Sequence, residues 1–165
     1  MDEITLREFT FEDIAQTFKW VQNKELQRLF TMREEPTWET HKEYFKKLMA
    51  DPTQKIYAIC TDDRHIGNCG LKNIKDKEAE LWLYIGDKTQ RGKGYGSSVC
   101  KKLLSESIKK KLALIYLHVL ASNLQAIRVY DKLGFVEVRM DAEDEKQWKS
   151  RGLNIIKMEK VLNNE

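Results

Sequence analysis

Three glycines lie close together in this sequence, between a run typical of a strand and a run typical of a helix. They are Gly92, Gly94 and Gly96. The surrounding segment, "IGDKTQRGKGYGSSV" at residues 85–99, must therefore leave a strand and start a helix within a few residues. The first turn of a helix has backbone N–H groups without partners, its dipole favours an anion, and glycines let that anion approach the backbone closely. The segment predicts an anion site at a strand-to-helix turn.

The side chains around these glycines favour phosphate as the anion. Arg91 and Lys93 flank the glycines, and Ser97 and Ser98 stand at the start of the helix, so a pyrophosphate suits the loop better than a carboxylate. Two familiar phosphate loops do not fit, because "GKGYGSS" lacks both the GK[ST] ending of a P-loop and the third glycine of GxGxxG. A tight turn that needs only flexibility is the alternative interpretation.

Length and charge indicate one domain that does not bind nucleic acid. The chain has 165 residues, of which 41% are hydrophobic and 33% charged, and this is enough for one core. The net charge of +3 is spread among acidic residues, and the densest basic run, 109–111, holds only three lysines. A nucleic-acid-binding surface normally needs a larger basic cluster.

The chain also lacks the sequence signs of a membrane or secreted protein. Its longest apolar stretch, 112–121, is interrupted by His118 and is too short to span a bilayer. No secretory signal opens the chain, so we expect a cytoplasmic protein with no membrane partner. Cys60, Cys69 and Cys100 have no CxxC spacing, and we therefore expect buried thiols and no metal site.

Hydrophobic periodicity predicts alternating strands and helices. The first residues alternate as a half-buried strand, and Thr10 with Asp13 resembles a capping box for the helix that follows. A second helix opens at residues 36–37. Three strand-like runs then predict an antiparallel meander, and a helix follows the glycines. A buried strand, a helix capped by Asn123 and two last strands complete the chain.

Two motifs resemble those of the GCN5-related N-acetyltransferases, or GNAT superfamily. "RGKGYG" at residues 91–96 matches their R/QxxGxG/A loop, and "NLQAIRVYDKLGF" at 123–135 matches their NxxAxxxYxKxGF segment. The element order is similar as well, over essentially the whole chain. The resemblance implies an α/β (α+β) fold with a mixed central sheet of about seven strands and about four flanking helices. In that fold an antiparallel meander precedes a parallel pair of strands, which splays apart to bind acetyl-CoA.

The resemblance implies acetyl-CoA as the donor and assigns residues to it. The loop amides and the side chain of Arg91 would hold the pyrophosphate. The residues of this loop are Arg91, Gly92, Lys93, Gly94, Tyr95, Gly96 and Ser97. Backbone groups of Tyr84, Ile85 and Gly86 would bind the pantetheine arm and polarise the thioester carbonyl. Asn123 would contact the cofactor near its thiol, with a plain helix cap as the alternative.

Acetylation of an amine requires a proton acceptor and a proton donor. A primary amine has a pKa of about 10 and is protonated at neutral pH, so a carboxylate, or a water held by one, must accept a proton. Strand alternation puts Glu80, Trp82 and Tyr84 on one face, and Glu80 is the predicted base, with an exposed strand carboxylate as the alternative. The resemblance places Tyr130 beside the sulfur as the acid, with a core tyrosine as the alternative.

The sequence leaves the acceptor open. Glu34 and Glu35 suit a cationic polyamine, whereas Arg28 and Arg33 suit a nucleotide sugar. We expect one N-acetyltransferase domain over residues 1–165, acting by direct attack in a ternary complex on a small amine such as a polyamine or an amino sugar, with no metal. The finer resemblance is to bacterial enzymes acting on such amines or on ribosomal-protein N-termini, and it allows a homodimer. A protein N-terminal acetyltransferase and a non-catalytic acyl-CoA-binding module are the alternatives.

Overall fold

The computed structural model describes residues 3–29 and 35–162, which form one mixed sheet with helices packed on it. The strands are β1 (Ile4–Glu8), β2 (Lys55–Thr61), β3 (Arg64–Lys75), β4 (Glu78–Ile85), β5 (Leu114–Leu120), β6 (Val136–Val138) and β7 (Ile155–Val161). The helices are α1 (Asp13–Val21), α2 (Lys24–Leu29), α3 (Trp38–Ala50), α4 (Tyr95–Lys109), α5 (Leu124–Lys132) and α6 (Ala142–Ser150). A short 3-10 turn, Lys88–Gln90, lies between β4 and α4.

The seven strands follow the order β1-β2-β3-β4-β5-β7-β6. Strands β2, β3 and β4 form the predicted antiparallel meander, and β1 extends it by pairing antiparallel with β2. Strands β4 and β5 are parallel, and β5, β7 and β6 are antiparallel again. The parallel ladder is short, because it runs only from Glu78 opposite Leu114 to Glu80 opposite Tyr116. Beyond that point β5 continues to pair with β7 as far as Leu120. The predicted mixed sheet and its parallel pair are confirmed, and the two strands part after three residue pairs.

The two faces of β4 separate as the alternation predicts. Ala79, Leu81, Leu83 and Ile85 belong to the main hydrophobic cluster, which also takes in the buried side of α4. On the opposite face, Trp82 packs against a smaller cluster formed with residues of α1 and α3. The sheet is therefore covered by α4 on one face and by α1 and α3 on the other.

The starts of α1 and α3 were both predicted from the sequence, and only that of α3 forms a complete capping box. In α3 the predicted opening is confirmed, since Thr37 and Thr40 form a full capping box. At α1 only half of the predicted box forms: the carboxylate of Asp13 accepts the Thr10 N–H at 2.8 Å. The Thr10 hydroxyl donates to that same carboxylate. The Asp13 N–H therefore donates to the Thr10 carbonyl and not to the Thr10 hydroxyl.

The described residues contain six α-helices, two more than the sequence predicts. Helix α2 has only six residues, which is too short to show a clear period. Helix α6, "AEDEKQWKS", has Trp148 as its one large apolar residue, so it shows no apolar stripe either. Its start does carry a signal, because Asp141 accepts the N–H groups of Glu143 and Asp144.

The three cysteines are free and buried, as predicted. No helix in the described part of the chain has the length and apolar character needed to cross a membrane.

Acidification should weaken the contact between β1 and α1, where Arg7 holds Asp13 through two hydrogen bonds of 2.8 and 3.0 Å. Burial alone would raise the pKa of Asp13, but the bonds from Arg7 and Thr10 outweigh burial and lower it. The folded state then binds a proton less readily than the unfolded chain. The stability from Asp13 is therefore present above about pH 4 and is lost as the pH falls through the lowered pKa.

Asp13→Asn should lower the free energy of unfolding at neutral pH and should reduce its fall between about pH 5 and pH 3. Urea unfolding at a series of pH values measures both effects. If the free energies of unfolding of the wild type and of Asp13→Asn fall with pH in the same way, Asp13 does not make this contribution to stability.

Candidate active site

The glycine loop leads directly into the first turn of α4. Gly92 and Gly94 have φ values of +76° and +79°, in the left-handed region that favours glycine. Gly94 is the N-cap of α4, no side chain caps this helix, and its first turn contains no acidic residue. The N–H groups at the start of α4 thus point away from the helix without a side-chain acceptor, as an anion site requires.

Gly96 has no conformational reason to be glycine. It lies inside α4 with no positive φ, and a Cβ atom built on it would meet nothing within 4 Å. The same open space surrounds Gly92 and Gly94. Packing within the described protein therefore does not require a glycine at position 96.

The basic side chains of the loop have different positions. The Nε of Arg91 donates to the carbonyl of Ile85 at 2.9 Å, and its Nη2 is buried without a hydrogen-bond partner in the described part of the chain. Lys93 is exposed and reaches the side chain of Gln90 at 3.3 Å. Tyr95 is 7% exposed and packs in the main cluster, so its ring is part of the core.

The backbone groups at the end of β4 were expected to face the donor at Tyr84, Ile85 and Gly86, and the structure directs them to two different sides. The Gly86 N–H donates to the Ile66 carbonyl at 2.8 Å, and the Tyr84 carbonyl lies against Gly67. Both groups therefore face β3. Because alternate residues of a strand direct their backbone groups to opposite neighbours, Leu83 and Ile85 are the residues that face the gap beside β5. Of the expected trio, only Ile85 directs its backbone toward the gap.

The Tyr84 side chain belongs to a buried polar network beneath α1. Its hydroxyl accepts a hydrogen bond from the Asn68 amide at 2.6 Å. The same amide reaches Thr17 at 2.9 Å, and the Asn68 oxygen lies 2.7 Å from Nε2 of His65. Burial raises the pKa of Tyr84. The tyrosine is a neutral structural group that fixes β4 to β3 and α1.

Glu80 is buried where β4 and β5 part, contrary to the alternative of an exposed strand carboxylate. It is 8% exposed, and its Oε2 lies 2.9 Å from Nδ1 of His118 on β5. Lys72 lies 3.7 Å from Oε2, and Asn73 donates to Oε1 at 3.3 Å. Burial raises the pKa of Glu80, but the hydrogen bond from His118 and the nearby Lys72 outweigh this effect and lower it. The carboxylate is therefore ionised at neutral pH.

His118 is the functional candidate that sequence reasoning missed. Its ring lies 5.7 Å from the Trp148 ring of α6 and 6.0 Å from that of Tyr116. Lys157 of β7 lies over the Tyr116 ring at 4.7 Å. The sequence did hold a signal, since His118 is the histidine that interrupts an otherwise apolar strand, but its partner on β4 is visible only in the fold.

Tyr130 and Asn123 both lie on the α5 side of the sheet. The Tyr130 ring packs edge-on against Phe135 at 5.8 Å, and burial raises the pKa of its hydroxyl, so the phenol keeps its proton at neutral pH. Asn123 is exposed and caps α5 by accepting the Ala126 N–H at 3.2 Å. No hydrogen bond or ion pair joins Tyr130 to Glu80 within residues 3–29 and 35–162.

The residues suggested for acceptor binding are only partly described. Glu34 and Arg33 lie outside the described residues, as does the side chain of Arg28. Glu35 is exposed just before α3.

Comparison with known protein families shows which family has this fold and glycine loop. The sequence pattern of the acetyltransferase (GNAT) domain matches residues 3–136. The chain belongs to the GNAT acetyltransferase family. In this GNAT domain the glycine loop, the end of β4 and the parting strands lie together, and the resemblance drawn from the two motifs is confirmed.

Individual relatives share the GNAT fold at low sequence identity. The spermidine N-acetyltransferase of Vibrio cholerae, solved in complex with CoA and spermine, has a TM-score of 0.82 at 21% identity and covers 96% of this chain and 95% of its own. AAC(6')-Ib in complex with ribostamycin and coenzyme A has a TM-score of 0.80 at 20% sequence identity, and the match covers 97% of this chain and 94% of AAC(6')-Ib. The uncharacterized protein MJ1062 of Methanocaldococcus jannaschii is 24% identical over 87% of this chain, which spans 30% of that protein.

Two alanine variants should separate the roles of the loop glycines in this GNAT domain. Gly94→Ala forces a side chain into the left-handed region and should cost about 1–2 kcal/mol of unfolding free energy. Gly96→Ala should leave stability unchanged or raise it by about 0.5–1 kcal/mol, because alanine is the better helix former. Urea unfolding of both variants measures this, and equal destabilisation would show that Gly96 is required by the fold.

Proposed function

We propose that this chain is an acetyl-CoA-dependent N-acetyltransferase that moves the acetyl group to a primary amine of a small molecule. The observation that carries the proposal is the uncapped first turn of α4, with open space at Gly96, next to the gap between β4 and β5. Family membership supports acetyl transfer as the reaction. CoA in the Vibrio cholerae enzyme and in AAC(6')-Ib supports the choice of donor.

We propose a place in the described residues for each part of the donor, from its phosphates to its thioester. The N–H groups of Gly96 and Ser97 would bind the pyrophosphate, with exposed Lys93 beside them. The pantetheine arm would lie along the gap, where the backbone of Leu83 and Ile85 faces away from β3. Arg91 is bonded to Ile85, and we propose that it holds the loop against the end of β4 as well as adding positive charge.

The reaction is a direct attack within a complex of enzyme, donor and amine. A protonated amine must lose a proton before its nitrogen can attack the thioester carbon. The departing thiolate then needs a proton or a hydrogen bond. Burial keeps the Tyr130 phenol protonated, so it is the proposed donor to the sulfur.

We propose a small amine as the acceptor, in the class of polyamines and amino sugars, including nucleotide-linked ones. The buried carboxylate of Glu80 gives the region a negative charge that suits a cation, and Tyr116 and Trp148 offer aromatic faces beside it. The presence of spermine and ribostamycin in the two structural relatives supports the same class.

Release of free CoA thiol from acetyl-CoA tests this function directly. The panel contains spermidine, a free amino sugar, a nucleotide-linked amino sugar and a peptide with a free N-terminus. Amine-dependent thiol release with one of the small amines supports the proposal. Release only with the peptide identifies a protein acetyltransferase, and binding of acetyl-CoA without any release identifies a non-catalytic module.

Gly96→Ala should weaken acetyl-CoA binding about tenfold to a hundredfold, which corresponds to the loss of one hydrogen bond to a charged group. The added methyl group would occupy the space in which the phosphate approaches α4. Ser105→Ala in the middle of the same helix is the matched control, since it changes helix propensity without touching the first turn. Calorimetry measures both affinities, and an unchanged value for Gly96→Ala rejects the phosphate site.

Tyr130→Phe should slow acetyl transfer by about 10²-fold to 10⁴-fold while acetyl-CoA affinity stays near that of the wild type. The change removes the hydroxyl and retains the ring that packs against Phe135. Tyr44→Phe, at an exposed tyrosine of α3, is the control. The chemical step is followed by rapid mixing, because slow product release hides such an effect, and a wild-type rate there assigns Tyr130 to the core alone.

A further inference from the structure

The Glu80–His118 pair bridges β4 and β5 at the place where their ladder stops. Glu80 and Tyr116 form the last residue pair of that ladder, and His118 follows Tyr116 by two positions on the same face of β5. The 2.9 Å contact between Nδ1 of His118 and Oε2 of Glu80 therefore crosses from one strand to the other at the start of the gap.

The contact fixes which nitrogen of His118 carries the proton. An ionised carboxylate only accepts hydrogen bonds, so Nδ1 must be the donor in this pair. In a neutral imidazole the other nitrogen, Nε2, is then a bare acceptor. The His118 side chain is 16% exposed, and its Nε2 has no hydrogen-bond partner within the described residues.

Glu80 itself is poorly placed to take a proton from a substrate. Its side chain is 11% exposed, Oε2 is shared between His118 and Lys72, and Oε1 accepts a hydrogen bond from Asn73. Each of these contacts stabilises the ionised form. A carboxylate with these partners is better suited to orient a neighbouring imidazole than to accept a proton from an amine.

We infer that His118, and not Glu80, is the general base of the proposed acetyl transfer, and that Glu80 is its positioning residue. This inference rests on the proposed function. Histidine is the side chain that exchanges protons most readily near neutral pH. The arrangement of carboxylate, Nδ1–H and free Nε2 is the one that activates a base in other enzymes.

The proton transfers balance as follows. The bound ammonium loses one proton to Nε2 of His118, which passes it to water. The freed nitrogen bonds to the thioester carbon, the C–S bond breaks, and the thiolate takes the proton of Tyr130. The nitrogen gives its second proton to the water that reprotonates Tyr130. The products are the amide, CoA thiol and one released proton.

Several charged and titratable groups lie on the elements around His118. The carboxylate of Glu80 contacts Nδ1 of His118, and Lys157 is the residue opposite His118 on β7. Trp148 of α6 covers one side of the ring. Further titratable or charged groups on these elements include Lys72 on β3, Glu78 on β4, Tyr116 on β5, Glu159 on β7, Asp144 on α6 and Arg151 at the end of α6.

The test compares kcat/KM over a range of pH for His118→Gln, Glu80→Gln and Glu159→Gln, with an amine that the wild-type protein acetylates. Glu159→Gln is the matched control, because it removes a carboxylate from the same face of the neighbouring strand β7, opposite Tyr116. Thermal unfolding of each variant checks that it is folded. Imidazole is added to His118→Gly as a rescue experiment.

His118→Gln should lower kcat/KM by about 10²-fold to 10⁴-fold at neutral pH, and the loss should shrink at high pH, where the amine deprotonates without help. Glu80→Gln should cost less, because its amide oxygen still accepts from Nδ1. The pH profile of Glu80→Gln should keep an acid limb, because the proposed base, His118, is still present. Glu159→Gln should stay near the wild type, and imidazole should partly restore His118→Gly.

Three results would overturn the assignment while leaving the proposed function intact. A wild-type rate for His118→Gln excludes it as the base. An equal loss at every pH without imidazole rescue makes the pair a structural contact. A larger loss for Glu80→Gln, with disappearance of the acid limb, returns the role of base to Glu80. Absence of amine-dependent thiol release by the wild-type protein instead rejects the proposed function, and the inference with it.

Discussion

Buried backbone N–H and C=O groups need partners, and β4 and β5 pair with each other over only three residues. Past that point β4 keeps β3 on one side and β5 keeps β7 on the other, so each strand exposes one backbone edge to the gap. The Ile85 carbonyl on that edge is satisfied by Arg91. The gap is thereby held open by pairing elsewhere in the sheet, and the proposed donor site depends on it.

The groups next to this gap are held by polar contacts inside an otherwise apolar core. On one side, Asn68 links Tyr84 to Thr17 and His65, and this fixes the end of β4. On the other, Glu80 and His118 join the two strands where they part. Buried polar groups are tolerated when each has a partner, and here the partners come from different strands and helices. The same contacts that stabilise the fold thus orient the proposed chemistry.

The accuracy of the sequence predictions differs from element to element. The glycine loop was predictable because its constraint is local: a positive φ at Gly92 and Gly94 and a helix start right after them need no distant partner. The two faces of β4 were predictable from alternation alone. Helix α6 was missed because it buries too little apolar surface to show a period. The capping at Thr10 was only half right, because the Thr10 hydroxyl donates to the Asp13 carboxylate and does not accept the Asp13 N–H. Arg7 on β1 also binds that carboxylate, which local sequence does not reveal.

The sequence by itself determined the order of the strands and of helices α1, α3, α4 and α5, the glycine loop before α4 and the GNAT family, since each depends on spacing along one segment. The tertiary structure alone decided which groups meet across segments. It placed His118 against Glu80, 38 residues apart in sequence, and it turned the backbone of Tyr84 and Gly86 toward β3. These outcomes depend on strand register, because a shift of one residue moves every side chain to the opposite face. Register is set by the packing of the whole sheet and not by any single segment.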